Sequence, residues 1–172
     1  MTIDIIPASS EVQDIFLQNI EAQIGIQLPS DYRDFLKRYN LSKISNNIVE
    51  KEDVKFNISY FFGFSDEKYI DLENQIAIYT KRIPSTMIPI AMAGGGNLVC
   101  IELPQGTIYF WDHESEGDEN EKNIGLHFIA NSFSIFFDMI QPYDSNKDME
   151  SMKIKSVKLR PGFAEKFKDY LK

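Results

Sequence analysis

Apolar side chains recur at helical spacing in two neighbouring N-terminal segments. Residues 11–24 carry a stripe close to 3.6 residues per turn, and Ser9-Ser10 before it predicts an N-terminal cap. That stripe consists of Val12, Ile15, Phe16, Ile20 and Ile24. Gly25 ends the pattern, Leu28-Pro29 favours extended backbone, and Ser30 is expected to cap a second helix. The second apolar face consists of Tyr32, Phe35, Leu36 and Tyr39. The two patterns predict a helical hairpin.

Further along, strand-like and helix-like segments alternate. Short runs rich in β-branched and aromatic residues predict strands within 44–50 and 54–63. Ser65, followed by two acidic residues, predicts the start of a third helix that ends before Pro84. Its apolar face would be Tyr69, Leu72, Ile76, Tyr79 and Ile83. Ser132 predicts the cap of another helix, whose apolar face would be Phe133, Phe136, Phe137 and Ile140.

The middle of the chain predicts an antiparallel meander. Strands are expected at 87–92, 98–103 and 107–111, because turn-forming residues separate them by short loops. Residues 108–111 are apolar on both alternating faces, which favours a central strand covered on both sides by helices. A further strand is expected at 126–130. Together the elements predict one α+β domain over residues 1–150, with about six mostly antiparallel strands packed against helices.

Charge divides the chain into two unequal parts. The 172 residues carry a net charge of −8. Residues 1–150 hold 11 Lys and Arg against 24 Asp and Glu, and residues 151–172 hold 7 against 2. The acidic body would repel phosphate backbones, so we expect no direct nucleic-acid ligand. Residues 142–151 resemble a polar linker, and the basic C-terminal extension, residues 151–172, is expected to fold back onto the body. Its predicted amphipathic helix presents Phe163, Phe167, Tyr170 and Leu171.

Compartment follows from apolar runs and cysteine usage. No apolar stretch reaches the roughly 18 residues that a membrane-spanning helix needs, so no membrane partner is expected. The N-terminus lacks a basic region and carries Asp4 where a signal peptide would be apolar. Cys100 is the only cysteine and cannot form an intramolecular disulfide. These features predict a cytoplasmic protein.

Residues suited to nucleophilic or phosphate chemistry are few. The two imidazoles, His113 and His127, lie in no recognisable nucleophile elbow. Cys100 and His127 sit inside apolar strands, which favours structural roles for both. The triplet Gly94–Gly96 lacks the order and the following helix of a phosphate-binding loop, so a turn with positive φ explains it better.

An acidic segment at 112–121 is the richest polar feature. It contains six carboxylates in ten residues: Asp112, Glu114, Glu116, Asp118, Glu119 and Glu121. A calcium loop is disfavoured because position 12 would be Asn123, where a bidentate Glu is needed. A catalytic carboxylate pair is disfavoured because crowded, solvated acids lack the apolar pocket that separates two pKa values. A solvated hairpin loop and a surface that meets a basic partner both remain open.

Several motifs in a fixed order resemble one known family. They lie at 20–36, 88–97, 108–114 and 130–133, and the chain resembles the Smi/Knr-type branch of the SUKH superfamily over about residues 11–140. The residues that carry the resemblance are Glu21, Gly25, Leu28, Pro29, Tyr32, Phe35, Leu36, Pro89, Gly94, Gly95, Gly96, Asn97, Trp111 and Phe133. Two positions depart from the pattern: Asn97 replaces a usual Asp, and Leu41 follows Asn40 where the family usually has Gly.

The resemblance implies an α+β fold without catalytic residues, cofactor or metal. Bacterial members of the family are immunity proteins that bind and neutralise a toxin encoded beside them, often a nuclease, and fungal relatives regulate signalling and the cell wall. It also implies structural roles for the motif: Leu28-Pro29 fixes the helical hairpin, Gly94–Gly96 allow a turn, and Trp111 fills the core.

The resulting hypothesis is a cytoplasmic, non-enzymatic immunity protein. Its expected partner is a basic toxin domain, and the six carboxylates of the acidic segment are the expected contact residues. Two alternatives stay open at this stage: a regulatory scaffold that binds a cellular protein, and a small metal-assisted enzyme that uses residues 112–121.

Overall fold

The predicted helical hairpin is present near the N-terminus. The computed structural model describes residues 5–6, 14–45, 47–115 and 125–143. Helix α1 spans Asp14–Ile24 and α2 spans Ser30–Tyr39. Ser30 is the first helical residue rather than the cap; Pro29 precedes it without a side-chain cap, so the predicted serine cap is wrong. The proposed cap at 9–10 lies outside the described residues.

The buried face of α1 differs from the predicted stripe. Leu17 and Ile20 are fully buried, whereas Ile15 is 52% exposed and Phe16 47% exposed. Phe16 instead packs on the ring of Phe64 at 5.6 Å between centroids. The predicted apolar face was wrong at Ile15 and Phe16. The buried face of α1 is centred on Leu17 and Ile20 instead, which lie three residues apart and therefore on the same side of the helix.

Short strands follow the hairpin. They are β2 (Lys43–Ile44), β3 (Asn47–Lys51), β4 (Val54–Phe56) and β5 (Ile58–Phe61), and β1 (Ile5–Ile6) pairs with β2. A late strand, β10 (Gln141–Pro142), joins β3 and β4 in a three-stranded antiparallel sheet of order β10-β3-β4. The start of the predicted polar linker is therefore part of a sheet.

Helix α3 is shorter than predicted. It spans Leu72–Tyr79, and the carboxylate of Asp71 caps it by accepting the backbone N–H of Asn74 at 2.8 Å. The predicted start at Ser65 is wrong, because the Ser65 hydroxyl accepts the N–H of Glu67 within a local turn. Tyr69 consequently lies outside the helix and is 62% exposed.

The predicted meander forms most of the main sheet. Strands β6 (Met87–Ala93), β7 (Leu98–Glu102), β8 (Ile108–Trp111) and β9 (Leu126–Ala130) follow β5 in an antiparallel order β5-β6-β7-β8-β9. The middle strand is β7, whereas β8 is next to the edge strand. Residues 108–111 form an interior strand, paired with β7 and β9, and Ile108, Phe110 and Trp111 are buried as expected.

Helix α4 (Phe133–Asp138) closes the core. The Ser132 hydroxyl accepts the N–H of Ile135 at 3.3 Å, which confirms the predicted cap. Phe133 and Phe136 are buried, and the rings of Phe35 and Phe133 lie 4.8 Å apart. An aromatic cluster thus joins α2, β5 and α4.

The architecture is α+β, with antiparallel sheets packed against four helices in the described residues, as predicted. Those residues contain ten strands rather than about six, because the predicted runs 44–50 and 54–63 each contain two strands and the two-residue strands β1 and β10 give no clear periodicity. The boundary predicted at 150 and the helix predicted in 151–172 lie outside the described residues. No helix in the described ranges is long and apolar enough to cross a membrane.

Candidate partner-binding site

The triple-glycine turn supports the start of the acidic segment. Gly94–Gly96 form a short 3₁₀ turn in which Gly95 and Gly96 have φ values of +77° and +87°. The Asn97 side-chain amide donates to the Gly94 carbonyl at 3.2 Å. Its oxygen accepts the backbone N–H of His113 at 3.1 Å and lies 2.8 Å from His113 Nδ1. Asn97 therefore fixes the backbone that follows β8.

Gly94 lies close to the exposed side chain of Asn57, which would have to shift to admit a larger residue. A Cβ atom at this position would lie 2.3 Å from the side-chain oxygen of Asn57. The Gly94 N–H also donates to the Asn57 carbonyl at 3.0 Å. The predicted turn with positive φ is confirmed at Gly95 and Gly96, and β7 rather than a helix follows it.

Asp112 organises the acidic segment from within. Its carboxylate accepts the backbone N–H of Glu114 at 3.0 Å and the hydroxyl of Ser115 at 2.8 Å. The hydrogen bond from Ser115 holds the pKa of Asp112 below its usual range. Its backbone N–H donates to the Gly125 carbonyl at 2.8 Å, which joins the two ends of the β8–β9 connection. Asp112 therefore combines a negative charge with a local structural role.

The predicted contact residues divide into two groups. Asp112 is the first residue after β8, and the short 3₁₀ turn His113–Ser115 follows it. Glu114 is exposed on this turn. The remaining four, Glu116, Asp118, Glu119 and Glu121, lie outside the described residues. The structure thus places the beginning of the acidic segment at the β8 end of the main sheet and leaves its use as a binding surface a prediction.

A second acidic surface was not predicted from the sequence. Helices α2 and α4 flank a groove of about 360 Å³. Phe35, Phe133 and Phe137 contribute aromatic walls, while the rim carries Asp31, Asp34, Arg38 and Asp138. Asp31 and Asp34, three residues apart in the sequence, indicate an acidic face on α2. The sequence around Asp138 does not indicate that this residue lies opposite them in the fold. We call this feature the α2–α4 groove.

Asp31 fastens the two walls of the α2–α4 groove. One carboxylate oxygen accepts the Tyr32 N–H at 2.8 Å. The other accepts the backbone N–H of Ser134 at 2.9 Å and the Ser134 hydroxyl at 3.1 Å. Since these bonds cross from α2 to α4, Asp31 fixes the width of the groove.

Glu21 has a structural role in the helical hairpin. Its carboxylate accepts the backbone N–H of Leu28 at 3.0 Å and also binds the Arg33 guanidinium. Burial alone would raise the pKa of Glu21, but the hydrogen bonds from Arg33 and Leu28 outweigh burial, and the net pKa lies below its usual range. Glu21 therefore ties the α1–α2 loop to α2, in agreement with its place in the motif.

The other motif residues are mainly packing residues. Trp111 is fully buried, with its ring centroid 5.9 Å from that of Tyr79 in a T-shaped pair and 5.0 Å from the Arg82 guanidinium. This burial confirms that Trp111 fills the core. Leu28, Tyr32, Phe35, Leu36 and Phe133 belong to the same buried cluster, and Pro89 lies buried in β6. Leu41 adopts a φ of +56°, the left-handed conformation that a glycine would adopt without strain.

Of the residues considered for nucleophilic chemistry, Cys100 lies where expected. Cys100 is buried in β7, and burial raises the pKa of its thiol, so it behaves as a small apolar residue. His113 is held by Asn97. The prediction of a buried structural role for His127 is wrong, because it is exposed on the edge strand β9. No group of three metal-ligating side chains occurs within the described ranges.

Fold and motif together define a single-domain α+β protein built on a helical hairpin and an antiparallel meander. The SMI1 / KNR4 family (SUKH-1) matches residues 11–139, and the chain belongs to this family. It is also similar to the SPbeta prophage-derived uncharacterized protein YokK of Bacillus subtilis (strain 168). The two are 31% identical over an alignment that covers 77% of each chain.

Proposed function

We propose that the protein is a cytoplasmic, non-enzymatic immunity protein that neutralises a cognate nuclease toxin. It would act by stoichiometric occlusion, with the acidic segment covering the cleft in which the toxin binds nucleic acid. The SMI1 / KNR4 family (SUKH-1) membership supports this proposal, because its bacterial members are expected to be immunity proteins.

The observation that carries the proposal is the acidic segment itself. Six carboxylates are concentrated in residues 112–121 of an acidic body, and Glu114 is exposed where this segment leaves β8. A nuclease must attract phosphates with a cationic cleft, so a dense row of carboxylates is complementary to it. Asn97 and Asp112 fix the start of the segment, so the backbone of His113 and Glu114 is already held in place before a partner binds.

The relative in Bacillus subtilis also supports the proposal. It is a prophage-derived protein. Mobile elements compete through toxins and their inhibitors, so a prophage location favours an immunity role over a housekeeping one.

The direct test is binding to the product of the adjacent gene. Co-expression should restore growth of cells that make this toxin, and the two proteins should co-purify in equal amounts. Rescue without co-purification would contradict direct occlusion. Failure of both would reject the immunity role for this gene pair.

A charge-neutralised variant tests the surface. It would carry Glu114→Gln, Glu116→Gln, Asp118→Asn, Glu119→Gln and Glu121→Gln, with Asp112 kept because it holds the turn. We expect the association rate at low salt to fall at least about tenfold and its salt dependence to weaken. Stopped-flow mixing at several salt concentrations measures both quantities.

The matched control removes five charges elsewhere. It carries Glu52→Gln, Asp53→Asn, Asp66→Asn, Glu67→Gln and Glu73→Gln, all at exposed positions. This variant has the same net charge as the first, so a local binding surface predicts a much smaller loss of rate. Equal rates for the two variants would show that only overall charge matters and would reject the acidic segment as the contact surface.

The second candidate is a regulatory scaffold that binds a cellular protein. The regulatory role expected of fungal members of the family supports it. Gene context distinguishes the scaffold hypothesis from the immunity hypothesis. A neighbouring long reading frame that ends in a basic nuclease-like domain would favour immunity, and its absence would favour the scaffold.

A further inference from the structure

The α2–α4 groove has the chemistry of a site for basic, partly aromatic peptide. Its aromatic walls are Phe35, Phe133 and Phe137, and its rim carries three aspartates against one arginine. Within the described residues, neither Asp34 nor Asp138 forms an ion pair or a side-chain hydrogen bond. Carboxylates above aromatic rings attract Lys and Arg by charge and by cation–π contact.

The same chain contains a segment of the opposite character. The basic C-terminal extension holds 7 Lys and Arg against 2 Asp and Glu, and its apolar residues include Phe163, Phe167 and Tyr170. In a helix these residues would share one face, with cations on the flanks. The segment therefore matches the groove in both charge and aromatic content.

Chain connectivity favours this segment over other occupants. Asp138, on the rim, ends α4, and the described chain ends at Tyr143, five residues later. The seven residues 144–150, which precede the extension, can span at most roughly 25 Å, enough to return to a helix that lies so close along the chain. Attachment through a short connection gives an effective concentration of roughly millimolar, so a modest attraction suffices.

We infer that the basic C-terminal extension of this chain docks in the α2–α4 groove, with its cations beside Asp34 and Asp138 and its aromatic face on Phe35 and Phe137. The inference does not depend on the toxin hypothesis, because the groove and the acidic segment are built by different elements. Docking would cover an acidic surface and neutralise part of the charge of the body.

Paramagnetic broadening maps the docking surface in the full chain. A Ser156→Cys variant accepts a nitroxide tag at one site, because Cys100 is buried and its thiol has a raised pKa. At about 50 mM salt we expect strong broadening of the amide signals of residues 31–38 and 133–138. At about 500 mM salt the broadening should weaken at least severalfold.

Two neutralised variants distinguish local docking from general attraction. Asp34→Asn with Asp138→Asn should remove most of the broadening. Asp53→Asn with Asp66→Asn changes the net charge equally at exposed positions away from the groove and should leave the broadening unchanged. Equal loss in both variants, or broadening centred on another surface, would overturn the inference.

A mixing experiment distinguishes docking within one chain from docking between two chains. Isotope-labelled protein without the tag is mixed with tagged protein that carries no isotope label. Intramolecular docking predicts no broadening in this mixture. Broadening of the groove signals there would show that a second copy supplies the extension and would overturn docking within one chain.

Discussion

Two residues other than glycine adopt positive φ in the described ranges, and they do so for different reasons. Leu41 has a φ of +56° and is only 8% exposed, so burial of its side chain offsets the backbone strain. Glu52 has a φ of +53° on the exposed turn between β3 and β4, where its side chain gains no such burial. Glu52 is therefore a position where glycine should be better.

Replacing Glu52 with glycine should raise the free energy of unfolding by about 1 kcal/mol, because glycine adopts this conformation without a Cβ clash. Its ion pair with Lys51, at 3.8 Å on the surface, contributes little to stability. Urea unfolding measures the change. Asp53→Gly is the matched control, since Asp53 lies beside it without a positive φ, and this variant should be slightly destabilised. A shift of both variants in the same direction would contradict the explanation.

At the scale of elements, the α1–α2 hairpin depends on one buried carboxylate. Glu21 is 11% exposed at its side chain and binds both the loop and Arg33. Its ionised form is favoured in the folded state, since its pKa is lowered there. This contribution to stability is complete above the ordinary glutamate pKa of about 4.3 and is lost as pH falls through the lower folded value.

Glu21→Gln should lower the free energy of unfolding at pH 7 by about 1–3 kcal/mol, because the charged hydrogen bonds are lost. The difference from the unchanged protein should shrink as pH falls below about 4. Denaturant unfolding at a series of pH values measures it. Asp14→Asn removes an exposed partner of Arg33 and Lys37 and should have a much smaller effect. A difference that does not vary with pH would contradict the role of the ionised carboxylate.

The sequence predicts the elements better than their limits. The helical hairpin, the meander and the Ser132 cap follow from periodicity and cap residues, because these signals are local. The predicted start of α3 was wrong because Ser65 and Asp71 are both residue types that cap helices, and only tertiary structure decides which of them does so. Strands β1 and β10 were missed because a two-residue strand is too short to show the alternation of apolar and polar residues.

At the scale of the whole molecule, Asn47 joins the two larger sheets. Its side-chain nitrogen donates to the carbonyls of Ile44 at 2.6 Å and Ile58 at 2.8 Å. Its side-chain oxygen accepts the Ile58 N–H at 2.7 Å. Because Asn47 begins β3 and Ile58 begins β5, one buried amide connects the three-stranded sheet to the five-stranded sheet.

Asn47→Ala should lower the free energy of unfolding by about 2–4 kcal/mol, because it leaves buried backbone groups without partners. Asn47→Asp should be at least as harmful, since a carboxylate cannot donate to the two carbonyls. Fluorescence of the single tryptophan, Trp111, reports unfolding of the main sheet in urea. Asn57→Ala, at an exposed residue, is the control and should change little. An unchanged midpoint for Asn47→Ala would contradict this role.

The two acidic surfaces differ in how far the sequence reveals them. The acidic segment is visible because its six carboxylates are neighbours in the chain. The α2–α4 groove is not visible, because Asp34 and Asp138 lie about a hundred residues apart and only tertiary contacts, such as the packing of Phe35 on Phe133 and the Asp31–Ser134 hydrogen bonds, bring their helices together. Charge density can be read locally, whereas a groove between distant helices requires the fold.

The bond between Asp31 and Ser134 spans 103 residues of chain. A ribosome that makes this protein exposes α2 long before α4 exists, so these two helices can pair only after α4 has been synthesised. A nascent or truncated chain that lacks α4 offers no pocket between the two helices. Any molecule that recognises that pocket consequently distinguishes finished protein from unfinished protein.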